Sequence, residues 1–394
     1  MNVPFFISRR LRYKGRMVTA AVAVSFLVVI IAVAVSAGFR REIYDGISEM
    51  TGDLQLTMPD MNVLDESSPL SSTQSYIPKI SELDYVEGIS PVICRAGIVK
   101  HDENIFGVFV RGIQGGPRVD VPADSVSLAV AIPASLADIS GLKAGDRMLT
   151  YFIGEKVKVR QFNIVDVYEP LVRTDDRFLV YADIEDLRRL NGWNDGQVSM
   201  FEIDLNSDFS DTELMDHASF EIAGLMHETM SEDDDVLVVT SVAEKYPQIF
   251  DWLNVIEFNV IFVLILMIIV AGVNMMTGLL IMLFEHTSMI GLLKSLGMTN
   301  TMVAKVFLTS AAGTVLKGML IGNLLAFGLC LLQNKTHLVS LDPTNYFVSF
   351  VPMHIDPAAV LLADAVAFVS IMLLLLIPSL FVMKVDPVRT LKVE

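Results

Sequence analysis

Side chains that could carry out chemistry are few and far apart in this sequence. The histidines of its central part, His101, His217 and His227, are isolated from one another. No HExxH, GxSxG or CxxC pattern occurs, so the sequence offers no zinc-binding helix, nucleophile elbow or redox dithiol. Cys94 and Cys330 lie in segments of different character, which argues against a disulfide between them. We therefore expect a protein that is not an enzyme and that has no metal site.

Nucleotide binding within the chain is not expected either. The phosphate-binding pattern GxxxxGK[ST] is absent, and even a Gly-Lys pair does not occur. The acidic run Glu232–Asp235 could hold calcium, but a solvated turn is the favoured interpretation. The other carboxylates show no spacing that singles out a catalytic pair.

The composition indicates a membrane protein with a large water-soluble part. Of its 394 residues, 53% are hydrophobic and 19% are charged. This is too apolar for an ordinary soluble protein and too charged for one buried wholly in lipid. Residues 39–253 contain 17 basic and 39 acidic side chains, a net charge of −22, whereas the rest has a net charge of +5. The acidic block would repel phosphate, which disfavours nucleic-acid binding.

Four apolar runs are long enough to cross a membrane as helices. About 20 residues at about 1.5 Å per residue cover the hydrocarbon core, and a span of this kind satisfies its backbone hydrogen bonds as a helix. The runs are Met17–Phe39, Phe258–Phe284, Val306–Asn334 with one lysine, and Ala365–Met383. The first run could instead be a signal peptide cleaved near Val35–Ala37, but it is long for one.

Basic residues give the expected orientation. Arg9, Arg10, Arg12, Lys14 and Arg16 precede the first run, which places the N-terminus inside. Four spans return the C-terminus to the same side. The acidic block is then outside, and the connection between the second and third runs is inside.

The outside block alternates strand-like and helix-like stretches, which predicts an α+β domain. The stretches "GDLQLTM" and "VICRAGIVKHDENIFGVFVRGI" predict strands, the second with a turn at His101–Asn104. The stretch "DIEDLRRLNG" predicts a helix capped by Asp183 and ended by Gly192. The serine-rich stretch Asp65–Ser75 predicts a mobile loop or linker.

The inside connection contains a short amphipathic helix, predicted over Ser288–Leu296. Its apolar residues recur at i, i+3, i+4 and i+7, and they are Met289, Leu292, Leu293 and Leu296. Gly297 can end the helix in a left-handed conformation, and Thr299 or Asn300 can cap the next one. This helix could float at the lipid interface or dock into a groove of a partner protein.

Several stretches, taken in order, resemble those of one family. "FFISRRLRYKGR" resembles an interfacial helix before span one, and "IPASLADISGLKAGDRM" resembles a segment of the outside domain, with Pro133 at an expected glycine. "FDWLNVIEFNVIFVLILMIIVAGVNMMTGL" resembles the entry to span two, "SMIGLLKSLGM" the short inside helix, and "DPVRTLK" the tail. With this topology, the chain resembles FtsX-like ABC transporter permeases, the type that includes the macrolide exporter. Within them it resembles most the lipoprotein-releasing (Lol-type) permease subunits.

That resemblance implies a non-catalytic subunit of the bacterial inner membrane. A cytoplasmic ABC ATPase would bind ATP and Mg, the chain itself would hold no cofactor, and a second permease subunit, identical or different, would pair with it. Lipoprotein substrates would be extracted from the membrane and passed to a periplasmic lipoprotein carrier. The stretch Tyr168–Phe178 could bind that carrier or be an ordinary surface turn. Two alternatives stay open, namely an FtsX-like, macrolide-exporter-type permease for another substrate and a mechanical signalling permease that controls cell-wall hydrolases.

The predicted organisation combines the spans with the resemblance. It consists of a cytoplasmic interfacial segment (1–16), transmembrane helix 1 (17–39), a periplasmic α+β domain (40–253), transmembrane helix 2 (256–284), a cytoplasmic coupling helix (285–300), transmembrane helix 3 (301–334), a periplasmic loop (335–356), transmembrane helix 4 (357–383) and a cytoplasmic tail (384–394).

Individual residues receive expected roles on the same basis. The expected ATPase-coupling residues are Glu285, Met289, Leu292, Leu293, Lys294, Leu296 and Gly297. The candidates for a substrate cavity are Phe26, Val29, Val33, Asn259, Val260, Phe262, Val263 and Leu266. Gly318 and Gly322 form a GxxxG pattern, typical of close helix packing at a dimer or within one subunit. We expect Lys317 to extend its ammonium to the headgroups, Asn274 to hydrogen-bond between helices, and Asp364 to face water or a partner.

Overall fold

The chain divides into a helical unit and an α+β unit. The computed structural model describes residues 16–59, 61–64, 66, 68–101, 104–114, 128–170, 178–206, 212–342 and 346–382. The helical unit comprises residues 1–40, 251–340 and 350–394, and the α+β unit comprises residues 41–250 and 341–349. The main part of the α+β unit therefore separates the first apolar helix from the others in sequence, which confirms the predicted fold class.

The α+β unit is built mainly on one sheet, and its elements follow the first long helix, α1 (Arg16–Thr51). Its described strands are β1 (Leu54–Thr57), β2 (Leu70–Ser71), β3 (Val86–His101), β4 (Asn104–Ile113), β5 (Ala129–Pro133), β6 (Arg147–Phe152), β7 (Lys158–Tyr168), β8 (Phe178–Asp183), β9 (Gln197–Val198), β10 (Met200–Leu205) and β11 (Val238–Ser241). Its described helices are α2 (Ile77–Ile80), α3 (Ala134–Ser140), α4 (Ile184–Asn191), α5 (Thr212–Thr229) and α6 (Val242–Lys245).

The sheet closes on itself through the long strand β3. Its order is β11-β1-β10-β3-β4-β8-β5-β7-β6, and β6 pairs back with β3, with Ile98 opposite Tyr151 and Val99 opposite Thr150. Strands β3, β4, β8, β5, β7 and β6 therefore form a ring, which reduces the number of open strand edges. The first part of β3 pairs with β10 instead, so β10, β1 and β11 continue the sheet beyond the ring.

Alternating burial shows which side of the ring strands faces the core. Met148, Thr150 and Phe152 of β6 are buried, and the residues between them are half-buried. Phe162 of β7 is also buried, and its ring meets that of Phe152 edge to face, with the centroids 6.1 Å apart. This period of two is that of a strand with one face in a hydrophobic core.

Two local predictions in the α+β unit are confirmed. His101 pairs with Asn104 where β3 and β4 meet. The side chain of Asp183 caps α4, and Gly192 follows the helix in a left-handed conformation with φ 77°. Both features depend on residues close together in sequence, so they were readable from it.

The stretch Asp65–Ser75, expected to be a mobile loop or linker, is anchored in its described part, and that prediction is wrong there. Strand β2 pairs with β9, and Nε2 of Gln74 donates to Oδ2 of Asp235 at 2.8 Å. The hydroxyl of Ser75 donates to Asp234, which also accepts backbone N–H groups. These hydrogen bonds, that of Ser75 first, hold the pKa of Asp234 below its usual range. Asp234 and Asp235 thus fasten the loop, whereas Glu232 and Asp233 of the acidic run are exposed in a turn, as predicted for the run.

The helical unit contains α1 and the helices that follow the α+β domain. These are α7 (Pro247–Glu285), α8 (Thr287–Ser295), α9 (Asn300–Thr336), α10 (Pro357–Leu374) and α11 (Leu376–Val382). Within the described ranges, four stretches are long and apolar enough to cross a membrane, namely α1, α7, α9 and Pro357–Ser379. The predicted interfacial segment, apart from its last residue, and the predicted tail lie outside the described residues.

Some helix ends differ from the ends of the apolar runs. Helix α1 continues to Thr51, beyond the apolar run that ends at Phe39. The residues after the run are more polar, but Ile43, Tyr44 and Ile47 among them are buried on one side of the helix. Helix α10 ends at Leu374, four residues before Pro378. Proline has no N–H to offer the carbonyl four residues earlier, and its ring crowds that carbonyl. The predicted fourth span therefore consists of two helices, α10 and α11.

Candidate coupling helix and candidate transport path

The candidate coupling helix is α8, which lies between α7 and α9 in sequence. Ile290 is fully buried and belongs to an apolar cluster with Val303 and Phe307 of α9. Met289 is half-buried and packs against the same cluster. Helix α8 is therefore held to its neighbours through the side that carries Met289 and Ile290.

Another side of α8 leaves leucines uncovered. Leu292 is 54% exposed, and Leu296, directly after the helix, is 76% exposed. The predicted apolar stripe thus divides, because Met289 and Leu293 are half-buried while Leu292 and Leu296 are exposed. Exposed apolar residues on a short helix are typical of a protein interaction site or of lipid contact. We call Leu292 and Leu296 the outer leucine pair.

The chain turns sharply after α8. Gly297 has φ +92°, the left-handed conformation predicted for it. Thr299 caps α9, since its hydroxyl accepts a hydrogen bond from the N–H of Met302. The charged members of the predicted coupling set lie beside this turn and at the end of α7, with Lys294 half-buried and Glu285 exposed. Helix α8 therefore has a defined end next to the outer leucine pair.

Gly318 and Gly322 let α9 lie directly against α1. A Cβ on Gly318 would be 2.6 Å from Cγ1 of Val22, and one on Gly322 would be 2.5 Å from the carbonyl oxygen of Ala23. Both separations are shorter than real Cβ atoms show, so only glycine fits without a shift of α1. The two glycines form an α1–α9 seam within one chain.

Phe26 and Val29 line a small apolar cavity among α1, α7 and α10. The other lining residues are Ser25, Met267, Ile268, Ala271, Ala367 and Ile371. Val33 is half-buried and packs against the neighbouring cluster that contains Val29. The hydroxyl of Ser25 donates to the carbonyl of Ala21, so the cavity wall is chemically apolar. Such a wall suits hydrocarbon and not a polar ligand.

The candidate cavity residues of α7 do not join Phe26 and Val29. Asn259, Phe262 and Leu266 are exposed, while Val260 and Val263 are half-buried. In the apolar window of α7 only 11% of the residues are buried, against 28% to 39% in the windows of the other three stretches. The structure therefore separates the candidate set into a buried group on α1 and a largely uncovered group on α7.

The polar residues of the apolar helices differ in exposure. Lys317 is exposed on α9, and Asn274 is half-buried on α7. The expectation that Asp364 faces water or a partner is wrong. Asp364 is only 8% exposed, and its Oδ2 lies 2.5 Å from Nδ2 of Asn323 on α9. Sequence reasoning missed Asn323, although an amide inside an apolar run is itself a signal.

Sequence reasoning also missed Ile290 as the residue that anchors α8. The signal was its spacing, because Ile290 follows Met289 directly and precedes Leu293 by three residues. These three positions share one side of a helix. The periodicity of the leucines alone favoured a single stripe and concealed this second side.

A buried polar network joins several elements of the α+β unit. Arg111 of β4 forms an ion pair with Glu202 of β10. Nε2 of Gln55 donates to Oε1 of Glu202 at 3.2 Å, and Nζ of Lys245 donates to Oε1 of Gln55 at 2.6 Å. Burial by itself would lower the pKa of Arg111, but the Glu202 carboxylate outweighs burial and holds that pKa above its ordinary value. The network connects β1, β4, β10 and α6.

The remaining candidates for chemistry are buried or lie apart. Cys94 and Cys330 are free and buried, and burial raises the pKa of the Cys94 thiol to about 12. Among the described residues, no group of three or more His, Cys, Asp or Glu side chains could hold a metal ion. Of the candidate carrier-binding stretch Tyr168–Phe178, residues 171–177 lie outside the described part of the chain.

Comparison with known proteins finds a family match that lies mostly in the helical unit. The family of FtsX-like permease C-terminal domains matches residues 261–387. The chain carries an FtsX-like permease domain. The match includes α8 and α9, and so the outer leucine pair and the α1–α9 seam glycines lie within it. Permeases of this ABC transporter family are membrane-embedded, have an ATPase partner and are normally non-catalytic.

The similarity of this chain to other proteins extends beyond that domain. It is 21% identical to the lipoprotein-releasing system transmembrane protein LolE of Haemophilus influenzae over 99% of each chain. It is 22% identical to LolC of Neisseria meningitidis over 95% of this chain and 93% of that one. It is also 26% identical to the ABC transporter permease YtrF of Bacillus subtilis over 35% of this chain and 33% of that one. The resemblance to FtsX-like and Lol-type permeases inferred from the motifs is confirmed.

Among solved structures, the periplasmic region of MacB from Actinobacillus actinomycetemcomitans matches 52% of this chain and 95% of its own, at 12% identity and a TM-score of 0.32.

Proposed function

We propose that this chain is the permease subunit of an ABC transporter that extracts lipoproteins from the bacterial inner membrane and passes them to a periplasmic carrier. ATP hydrolysis by a separate ATPase drives the extraction. The observation that carries the proposal is the end-to-end similarity to LolE of Haemophilus influenzae, which covers 99% of each chain. A match of this extent includes the α+β unit as well as the helices, so it supports the lipoprotein branch and not only the shared permease domain.

In the proposed topology both termini lie in the cytoplasm and the α+β unit lies in the periplasm. The basic residues before α1 and the even number of spans support this orientation. It follows that α8 is cytoplasmic, where an ATPase can reach it, and that the connection from α9 to α10 is periplasmic.

Helix α8 is the proposed docking element for the ATPase. Its inner side is held by Ile290, and the outer leucine pair is left uncovered. A short helix that presents apolar side chains one turn apart is suited to a groove on a partner protein. The sequence has no GxxxxGK[ST] pattern, so ATP and Mg are proposed to bind to that partner.

The uncovered side of α7 is the proposed surface for a second permease subunit, identical or different, and for the acyl chains of the substrate. Its exposed large residues recur every three to four positions and include Phe258, Phe262, Ile265, Ile269 and Val273. The exposed amide of Asn259 would be costly in contact with lipid. A second subunit or a substrate cavity at this surface would remove that cost.

The coupling role is tested with Leu296→Asp and a matched control. Loss of an anchor in a central position of an interface costs about 2 kcal/mol, and 1.4 kcal/mol is about a factor of ten in affinity. Co-purification of the ATPase should therefore fall about tenfold or more, with membrane insertion unchanged. The control is Leu338→Asp, because Leu338 is 68% exposed and follows the opposite end of α9. If Leu296→Asp kept the ATPase as well as the control does, α8 would be a lipid-interface helix.

The substrate is tested by depletion and by reconstitution. Depletion of this permease should leave lipoproteins in the inner membrane, and vesicles that contain the permease with its ATPase should release lipoprotein to a soluble carrier only when ATP is present. Normal lipoprotein localisation after depletion would contradict the lipoprotein branch while leaving the ATPase-driven permease intact.

The similarity to YtrF supports a second candidate, a permease of the same family for another substrate. That similarity is confined to about a third of each chain, and it therefore says less about the α+β unit. An export or resistance phenotype after depletion, together with normal lipoproteins, would favour this candidate.

A further inference from the structure

An acid–amide pair lies between the apolar helices α9 and α10. Oδ2 of Asp364 is 2.5 Å from Nδ2 of Asn323, and Asp364 is 8% exposed. Asp364 follows the N-cap residue of α10, Asp356, by eight residues, which is about 12 Å along the axis at about 1.5 Å per residue. The carboxyl group is therefore well inside the apolar part of the helix.

Among the described residues, Asp364 has no ion-pair partner. The nearest lysine of α9 in sequence, Lys317, is exposed and precedes Asn323 by six residues, or about 9 Å along the helix. The other charged residues of the helical unit lie toward the helix ends, and they are Arg16, Arg40, Asp251, Glu257, Glu285, Lys294, Lys305, Lys335 and Asp356. Of these, Arg40 forms an ion pair with Glu257.

Within the part of the chain that the structure describes, two buried oxygen atoms of the pair have no hydrogen-bond donor. They are Oδ1 of Asp364 and Oδ1 of Asn323. Both atoms are acceptors when Asp364 is ionised, so neither can satisfy the other. A buried carboxylate without a cation or enough hydrogen-bond donors is strongly disfavoured. One added proton changes this balance, because a carboxylic acid has an O–H that the amide oxygen can accept.

We propose that Asp364 and Asn323 form a proton-binding site between α9 and α10. Asp364 is neutral at physiological pH, its O–H donates to Oδ1 of Asn323, and Nδ2 of Asn323 donates to Oδ2 of Asp364. The ligand is a single proton, and it satisfies both oxygen atoms that otherwise lack a donor. The reciprocal pair joins the two helices without an ionised group, so they can repack in lipid without exposing a charge. The site is independent of the cargo of the transporter.

Infrared spectroscopy of the full-length protein in lipid nanodiscs tests the site. At neutral pH the wild type should show the C=O band of a protonated carboxylic acid. Asp364→Asn should lose a band equal to one carboxyl group per chain, while it keeps the size of the side chain. The matched control is Asp356→Asn, because the Asp356 carboxylate accepts backbone N–H groups at the start of α10 and is only half-buried. It should keep the band.

A second measurement covers the case in which Asp364→Asn does not assemble. Carbon-13 labelling of aspartate in the wild type should shift the protonated-acid band, and Asn323→Leu should move it to the higher frequency of a carboxylic acid with fewer hydrogen bonds. Identical spectra for the wild type and Asp364→Asn in this region would overturn the proposal. The absence of any protonated aspartate band in the labelled wild type would do the same.

Discussion

Replacing Gly322 with alanine should weaken the α1–α9 seam. The new Cβ would lie 2.5 Å from the carbonyl oxygen of Ala23 and 2.9 Å from Cβ of Phe26, whereas ordinary contacts begin at 3.4 Å. Helix α1 would therefore have to move by roughly 1 Å in a closely packed interior. Overpacking of this kind typically costs about 1–3 kcal/mol.

The higher helix propensity of alanine acts in the opposite direction, and Gly328→Ala is the control for it. Alanine favours a helix over glycine by about 1 kcal/mol. Gly328→Ala isolates this gain, because Gly328 lies on the same helix and its added Cβ would meet nothing within 4 Å. Gly322→Ala should therefore be less stable than Gly328→Ala by about 1–3 kcal/mol, and 1 kcal/mol already changes the folded-to-unfolded ratio about fivefold.

The difference is measurable by equilibrium unfolding in mixed detergent micelles. Circular dichroism during a titration with a denaturing detergent gives the free energy of unfolding of each variant relative to the wild type. Equal free energies for Gly322→Ala and Gly328→Ala would refute the reasoning, because the glycine at the seam would then have no close neighbour to displace.

Three further predictions concern the α+β unit. Glu202→Ala should lower the free energy of unfolding by about 3–5 kcal/mol, because the buried charge of Arg111 would lose its carboxylate partner. Replacing both Glu202 and Arg111 with apolar residues of similar size should restore the free energy of unfolding, measured by chemical denaturation. In a variant that lacks Cys330, Cys94 should react with an alkylating reagent at about pH 8 only after unfolding, because burial raises the pKa of its thiol to about 12. Rapid labelling of the folded protein would contradict this prediction. Asp234→Asn should destabilise the protein at neutral pH and not in strong acid. The lowered pKa of Asp234 means that its stabilising effect is present above its ordinary pKa of about 3.9 and is lost as the pH falls toward the pKa in the folded protein. Thermal melts in which the difference in stability between the wild type and Asp234→Asn increased toward acid pH would contradict this prediction.

Sequence signals were sufficient where the physical cause is local. The cap at Asp183, the glycine end at Gly192 and the left-handed Gly297 each depend on a few neighbouring residues. The apolar runs were equally readable, because a membrane helix satisfies its backbone hydrogen bonds within one segment. Pro378 was visible in the predicted fourth span, but the structure was needed to show that the helix ends at Leu374.

The side that each residue of α8 presents could not be read from periodicity alone. The pattern at Met289, Leu292, Leu293 and Leu296 gives one apolar stripe. In the structure Ile290 is buried in the same apolar cluster as Val303 and Phe307, and the outer leucine pair is exposed. Periodicity defines the sides of a helix, and the neighbouring element decides which side is covered.

The sequence by itself determined that this chain has four apolar stretches able to span a membrane, an acidic α+β domain between the first and second, and a short amphipathic helix between the second and third. These follow from composition, charge and spacing. Only the tertiary structure decided that Asp364 is buried against Asn323, that Gly322 touches α1, and that β6 returns to β3 to close the ring. Each of these contacts joins residues far apart in the chain, so no local pattern carries the information about which partner a side chain meets.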